Sequence, residues 1–152
     1  MNAIELLKND HETVEALFQE VEASDAGEHP NLFGEIKAAL ETHAHIEESI
    51  FYPSLQEEGD EELVELVSEA LKEHSQMKVF LGELAAVISD TDKFEPLMDQ
   101  LIADVRHHVL EEEGEMFPAV EGQFDEDTLE MWGGQMQAEK DRFQESSESA
   151  YA

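Results

Sequence analysis

An all-α fold, an antiparallel up-down-up-down four-helix bundle, is what this amino-acid sequence predicts, and three observations predict it. Apolar residues recur at three-and-four spacing in four separate runs. Short stretches containing Gly, Asp, Ser or Pro separate the runs. No segment alternates apolar and polar residues as a half-buried strand does.

The first run, Ile4, Leu7, Val14, Phe18 and Val21, predicts a helix ending near Ala26-Gly27, with His11 completing its stripe. The second places Phe33, Ile36, Leu40 and Ile50 on one face, with His43 and Glu47 at the intervening positions. Pro53 is expected to stop that helix, because proline donates no backbone N–H and crowds the preceding turn. After Gly59-Asp60 a third run carries Val64, Val67, Leu71, Met77, Leu81, Leu84 and Ile88, with His74 in its gap, and stops near Ser89-Asp90. The fourth shows Phe94, Leu97, Leu101 and Val105, then His108 and Glu112 in register, ending near Pro118. Connections of roughly 6 to 10 residues favour antiparallel neighbours. A shorter fifth helix is expected from Asp125 to Phe143, weakened by Gly133-Gly134. The bundle domain is thus residues 1–143, and 144–152 reads as a polar tail too poor in apolar residues to order itself.

The length of 152 residues suits one domain with a sizeable core. No stretch approaches the roughly 20 apolar residues of a membrane span, and Met1-Asn2-Ala3-Ile4-Glu5 lacks the basic start of a signal peptide. A cytoplasmic protein with no membrane partner is expected. Cysteine is absent, which excludes disulfides, thiolate catalysis and zinc-thiolate or ordinary iron–sulfur sites. Thirty-nine acidic against eight basic residues give a net charge of -31, which repels nucleic acid and anionic lipid. Salt would screen the self-repulsion of such a chain, so a high-salt cytoplasm, as in a halophile, is a natural setting. The other reading is that the charge only keeps an ordinary protein soluble.

One histidine on an apolar face is more often a hydrogen-bonded core residue than a ligand. Here each of four helices carries one inward histidine, and two of the four, His43 and His108, are followed at i+4 by Glu47 and Glu112 on the same face. Buried carboxylates need compensating cations, and Arg106 and Lys78 are the plausible local ones. Metal ions bound by His11, His43, Glu47, His74, His108 and Glu112 explain all six residues together. Glu48 and Glu113 lie about 100° around the helix from those carboxylates, so they read as boundary or supporting groups. His45, His107 and His29 read as off the site. The chain also echoes itself: His43-x3-Glu47-Glu48 leads to Phe51-Tyr52-Pro53 as His108-x3-Glu112-Glu113 leads to Met116-Phe117-Pro118.

With His11, His43-x3-Glu47, Glu73-His74, His108-x3-Glu112 and the aromatic-Pro endings together, residues 1–143 resemble the hemerythrin-like family, the HHE cation-binding domains. That resemblance implies an antiparallel four-helix bundle with a non-haem di-iron centre, two carboxylates bridging the irons, an oxo or hydroxo bridge, and oxygen chemistry at an open coordination position. Oxygen-carrying hemerythrins have a second His one turn after the third-helix His; here that position is Lys78. With four His nitrogens, two bridging carboxylates and one oxygen bridge, two coordination positions stay open rather than one, which makes simple oxygen carriage less secure.

The expected function is an iron-binding protein that takes a small ligand, dioxygen, nitric oxide or peroxide, for sensing, storage or protection. The alternative is a di-iron oxidase or peroxidase-like enzyme. A ferritin-like di-iron carboxylate site is disfavoured, since none of the histidines has Glu three residues before it.

Overall fold

The computed structural model describes residues 1–151, with side chains through Ser147. Among the described residues every regular element is helical. Helix α1 spans Ala3–Ala23 and opens on a reciprocal cap: the Glu5 N–H donates to Asn2 Oδ1 at 2.9 Å, and the Asn2 N–H to Glu5 Oε1 at 3.1 Å. A 3-10 turn at Ala26–Glu28 leads into α2, His29–Ile46. Then come α3, Tyr52–Glu58; α4, Glu61–Ala86; α5, Thr91–Glu111; α6, Phe117–Gln123; and α7, Glu126–Tyr151. Asp60 and Asp90 cap α4 and α5 by accepting the N–H groups of Leu63 and Lys93.

Neither Pro53 nor Pro118 stops its helix. Between α2 and α3 lies a wide turn, Glu47–Phe51, in which the Tyr52 N–H donates to the Glu47 carbonyl, five residues back. The second half repeats it at Glu112–Met116, where the Phe117 N–H donates to the Glu112 carbonyl. Such turns insert one residue into a helix and recur at functional sites. Each proline then sits in the first turn of the renewed helix, where a missing N–H costs least. Because the rods continue to Glu58 and Gln123, the connections are tighter than the spacing predicted; only Gly59-Asp60 separates α3 from α4.

Two other expectations shift. The buried line of α4 keeps Val67, His74, Leu81 and Leu84 but takes Leu63 and Ala70 at its edge, while Val64 and Ile88 are each 37% exposed. The last helix continues past Phe143 to Tyr151, where a polar tail was expected, because no Gly or Pro interrupts residues 144–151; Ala152 lies outside the described residues. Gly133, which weakened that helix in prospect, is required by packing: a Cβ there would lie 2.3 Å from the Met1 carbonyl oxygen. No described helix is long and apolar enough to cross a membrane.

The core is two apolar plugs. One gathers Leu7, Phe51, Leu55, Leu63, Phe117 and Trp132, among others; the second gathers Phe18, Phe33, Leu40, Leu84, Phe94 and Leu101. His11 lies between Leu7 of the first plug and Val14 of the second, and His43, His74 and His108 occupy the same level on α2, α4 and α5. A polar disc is thereby sandwiched between hydrophobic ends. Each fully buried Phe contributes about 2–3 kcal/mol, so the plugs hold the disc's histidines in place.

His29 opens α2 rather than sitting in a loop. Its Nε2–H donates to the Val21 carbonyl at 2.8 Å, and its Nδ1–H to Glu95 Oε1 at 2.7 Å, joining α1, α2 and α5. Burial lowers the imidazole's pKa, but Glu95 and the Val21 and Ser24 carbonyls outweigh it, so the net shift is upward. A folded pKa above the unfolded value of about 6.5 means the stabilisation is fully present below about pH 6.5 and is lost as pH rises through the folded pKa. His29→Ala should therefore cost about 1–3 kcal/mol near pH 6 and less at pH 9. Thermal melts of both proteins across that range test it; a pH-independent difference would refute it.

Candidate metal centre

At the level of the polar disc, α1, α2, α4 and α5 each present one histidine inward, and the first residue of each wide turn supplies a glutamate. All six candidate ligands are buried; Glu47 is 0% exposed and Glu112 2%. Two triads form. The donor atoms of His11, His43 and Glu112 lie within 4.8 Å of one another, as do those of Glu47, His74 and His108. The glutamates also span the two groups. Glu47 Oε1 is 3.1 Å from His43 Nε2 and 3.2 Å from His74 Nε2. Glu112 Oε1 is 3.2 Å from His11 Nε2, and its Oε2 is 3.4 Å from His108 Nε2.

The outward nitrogens are held by four more carboxylates in a closed ring. Asp10 of α1 accepts from His43 Nδ1 at 3.0 Å, and Glu48 of the first wide turn from His74 Nδ1 at 2.9 Å. Glu73 of α4 accepts from His108 Nδ1 at 2.7 Å, and Glu113 of the second wide turn from His11 Nδ1 at 2.6 Å. Each helix thus supports the histidine of the next one around. With Nδ1 protonated, every Nε2 offers its lone pair to the centre, the tautomer a metal needs.

Apart from His74 Nε2 and Glu112 Oε2, which meet the Tyr52 hydroxyl, the inward atoms lack partners. His11, His43 and His108 Nε2, both oxygens of Glu47, and Glu112 Oε1 are buried without a hydrogen bond. Such orphans are costly. The two candidate cations are engaged elsewhere, Arg106 with Glu15 and Glu22, and Lys78 with Glu48 at 2.7 Å. The carboxylates favour positive charge on the imidazoles beside them. Burial pulls the His108 imidazole down, but Glu112 and Glu47 outweigh it and raise it to about 9. Glu112 is held well below the usual carboxylate range: burial pushes it up, and His108 and His11 outweigh that. A nitrogen- and oxygen-donor set with unmet lone pairs fits divalent or trivalent transition metals.

The histidines read as outside the site are outside it. His45 Nε2 bonds Glu139 of α7 at 2.7 Å, with its ring stacked on Phe143 at 4.3 Å. His107 pairs with Glu111 on the surface, and His29 is the strut described above. Three residues have a role that the sequence did not assign. Asp10 and Glu73 each immediately precede an inward histidine, a repeated acid-His pair that signals support for a neighbouring ring. Tyr52, buried at 1%, donates its hydroxyl to Glu112 Oε2 at 2.5 Å, where the second half has Phe117 stacked on His11. The clue was a difference between the repeated halves, Tyr52 in one where the other has Phe117. Lys78, 58% exposed in its side chain, anchors Glu48 from outside.

Surface cavities border the centre, and two of them are large. One of about 580 Å³, between α2 and α4 beneath Phe143, ends at Glu48 and His74. A mostly apolar one of about 360 Å³ between α1 and α5 ends at His11 and Glu113.

A family model described as the hemerythrin HHE cation binding domain matches residues 2–120. The chain belongs to that family. Among solved structures, this HHE domain is similar to a hemerythrin HHE cation binding domain-containing protein of Mycobacterium kansasii, with a TM-score of 0.82 and 26% identity over 96% of this chain and 89% of that one. It is also 30% identical over 149 residues to a protein of Nostoc sp. (strain PCC 7120 / SAG 25.82 / UTEX 2576) named DNA nickase. That match covers 95% of the HHE domain but spans only 41% of the Nostoc protein's length.

Proposed function

We propose that this HHE domain is a non-haem di-iron protein that takes a small ligand, dioxygen, nitric oxide or peroxide, for sensing, storage or protection. The observation that carries the reading is the set of inward lone pairs without partners, divided into two triads. One metal would be held by His11, His43 and Glu112 and the other by His74, His108 and Glu47, with each glutamate reaching across to the second. Connections of two to five residues and continuous rods support an antiparallel bundle of α1, α2–α3, α4 and α5–α6, with α7 laid over α1 and α2. Bound iron would supply Lewis acidity and one-electron redox change.

The chain's own residues do the rest. The carboxylate ring fixes each imidazole, the apolar plugs keep bulk water from the disc, and Tyr52 holds a hydrogen bond on Glu112 Oε2. Six protein donors for two ions leave room for an exogenous ligand. Purified protein should contain two irons per chain and, in air, absorb in the near ultraviolet as an oxygen-bridged di-iron centre does. A fully loaded sample with one metal per chain would overturn the proposal.

The cavity of about 580 Å³ at His74 favours a second reading, because it admits molecules larger than a diatomic ligand. On that reading the domain is a di-iron oxidase or peroxidase-like enzyme. Sustained turnover of peroxide or oxygen with a reductant separates the two. We infer no nucleic-acid partner for this chain: a charge of -31 repels phosphate, and the name of the Nostoc protein describes a much longer chain. Supercoiled plasmid should stay intact when incubated with the iron-loaded domain.

A further inference from the structure

Helix α7 lies beyond the residues the family model matches, yet it touches the polar disc. Lys140 Nζ donates to Asp10 Oδ1 at 2.6 Å, and the other oxygen of that carboxylate accepts from His43 Nδ1 at 3.0 Å. His43 Nε2 in turn faces Glu47 Oε1 at 3.1 Å and Glu112 Oε1 at 4.0 Å. Asp10 is 10% exposed in its side chain and Lys140 24%, so both polar contacts are largely shielded from solvent. The geometry points to Lys140 as a positioning residue for the metal held by His11, His43 and Glu112, which makes α7 a working part of the centre.

The physical argument starts from Asp10. A mostly buried carboxylate with one oxygen unpartnered would turn toward water or share its charge between both oxygens. Lys140 fixes Oδ1, so Oδ2 stays on His43 and the ring keeps its angle and its Nδ1–H tautomer. In a chain carrying -31, a lysine here also offsets the crowding of negative charge around the disc. The four carboxylates of the ring are not alike in this respect. Lysines hold Asp10 and Glu48, whereas the ion pairs of Glu73 and Glu113 among the described residues are with histidine. The two lysines are divided between the two metals: Lys140 supports His43 through Asp10, and Lys78 supports His74 through Glu48. Arg142, one turn from Glu139 on the same helix, has no such route inward; it pairs with Glu139 and is 74% exposed.

This inference rests on the two-metal reading, and the test keeps the two separable. Cobalt(II) is titrated by its visible absorption into the full chain, into His108→Ala to isolate the first position, and into His11→Ala to isolate the second. Lys140→Met should weaken cobalt about tenfold in the His108→Ala background, at the low end for loss of an outer partner. It should leave the His11→Ala background unchanged. Lys78→Met should do the reverse, less strongly because Lys78 is more exposed. Lys140→Arg should restore binding, and Arg142→Met should change neither position. Equal weakening of both positions, no weakening, or an equal effect of Arg142→Met would overturn the role of Lys140. If Lys140→Met does not fold, Lys140→Gln, which keeps a donor without the charge, carries the same expectation at reduced size. An unsubstituted chain that binds one cobalt would instead refute the two-metal reading, whatever the lysine variants do.

Discussion

His74→Ala is expected to halve the metal content, from two ions per chain to one, and to lower the melting temperature of the metal-loaded protein. Its Nε2 faces Glu47 Oε1 at 3.2 Å, and its removal leaves His108 and a shared glutamate to hold the second ion. Two donors with a solvent-connected cavity beside them hold a metal poorly. Metal that binds only the folded chain stabilises it by mass action, about 2.7 kcal/mol when the free ion is at 100 times its dissociation constant. Losing one ion should remove stability of that order. His45→Ala is the contrast. It should keep both metals, yet cost about 1 kcal/mol, because His45 ties α7 to α2 through Glu139 and Phe143. Metal analysis with melts in the presence and absence of chelator decides the matter. Two ions retained by His74→Ala would undo its assignment as a ligand.

Glu47→Leu should weaken both metal loading and the fold. Glu47 is fully buried, neither of its oxygens has a hydrogen bond, and Oε1 lies nearly midway between His43 and His74. Removing a carboxylate that reaches both triads should abolish loading of both ions. In the metal-free chain Glu47 is the counter-charge of His43, His74 and His108, and removing one partner of a buried charged pair costs about 3–5 kcal/mol. The metal-free variant should therefore unfold at lower urea than the metal-free parent, and the loaded parent should exceed both. A variant that still takes two metals would show that Glu47 is not shared. One that resists urea as well as the metal-free parent would show that Glu47 is not the counter-charge of these histidines.

The inward stripe was readable because three-and-four spacing puts His11, His43, His74 and His108 on faces otherwise occupied by Leu, Val and Phe. Their meeting at one level follows from the two echoed halves. The first inward residue of α4 was not readable, because Leu63 and Val64 are adjacent and both apolar, and packing against the neighbouring helices chooses Leu63. The continuation of the rods past Pro53 and Pro118 was missed, although a signal existed. His43, Glu47, Phe51 and Leu55 are spaced by four, as are His108, Glu112, Met116 and Val120, and all eight are buried. In a regular helix each step of four overshoots a full turn by about 40°, so an unbroken series of fours cannot stay on one face. A wide turn corrects that drift. The carboxylate ring was half legible: Glu48 and Glu113 were placed beside the ligands, but which histidine each would meet depends on how neighbouring helices pack.

The wide turns also bear on which changes of length this chain can survive. Each rod carries one residue more than a straight helix joining the same two ends would need. Loss of a residue within 48–51 or 113–116 would let the turn close to regular α geometry, so the apolar plug beyond it would keep its face toward the interior. The same loss one or two turns earlier would rotate everything after it by about 100° and carry the glutamate off the disc. Tolerance to deletion along these helices is therefore concentrated immediately after each ligand glutamate, beside the residues least free to change.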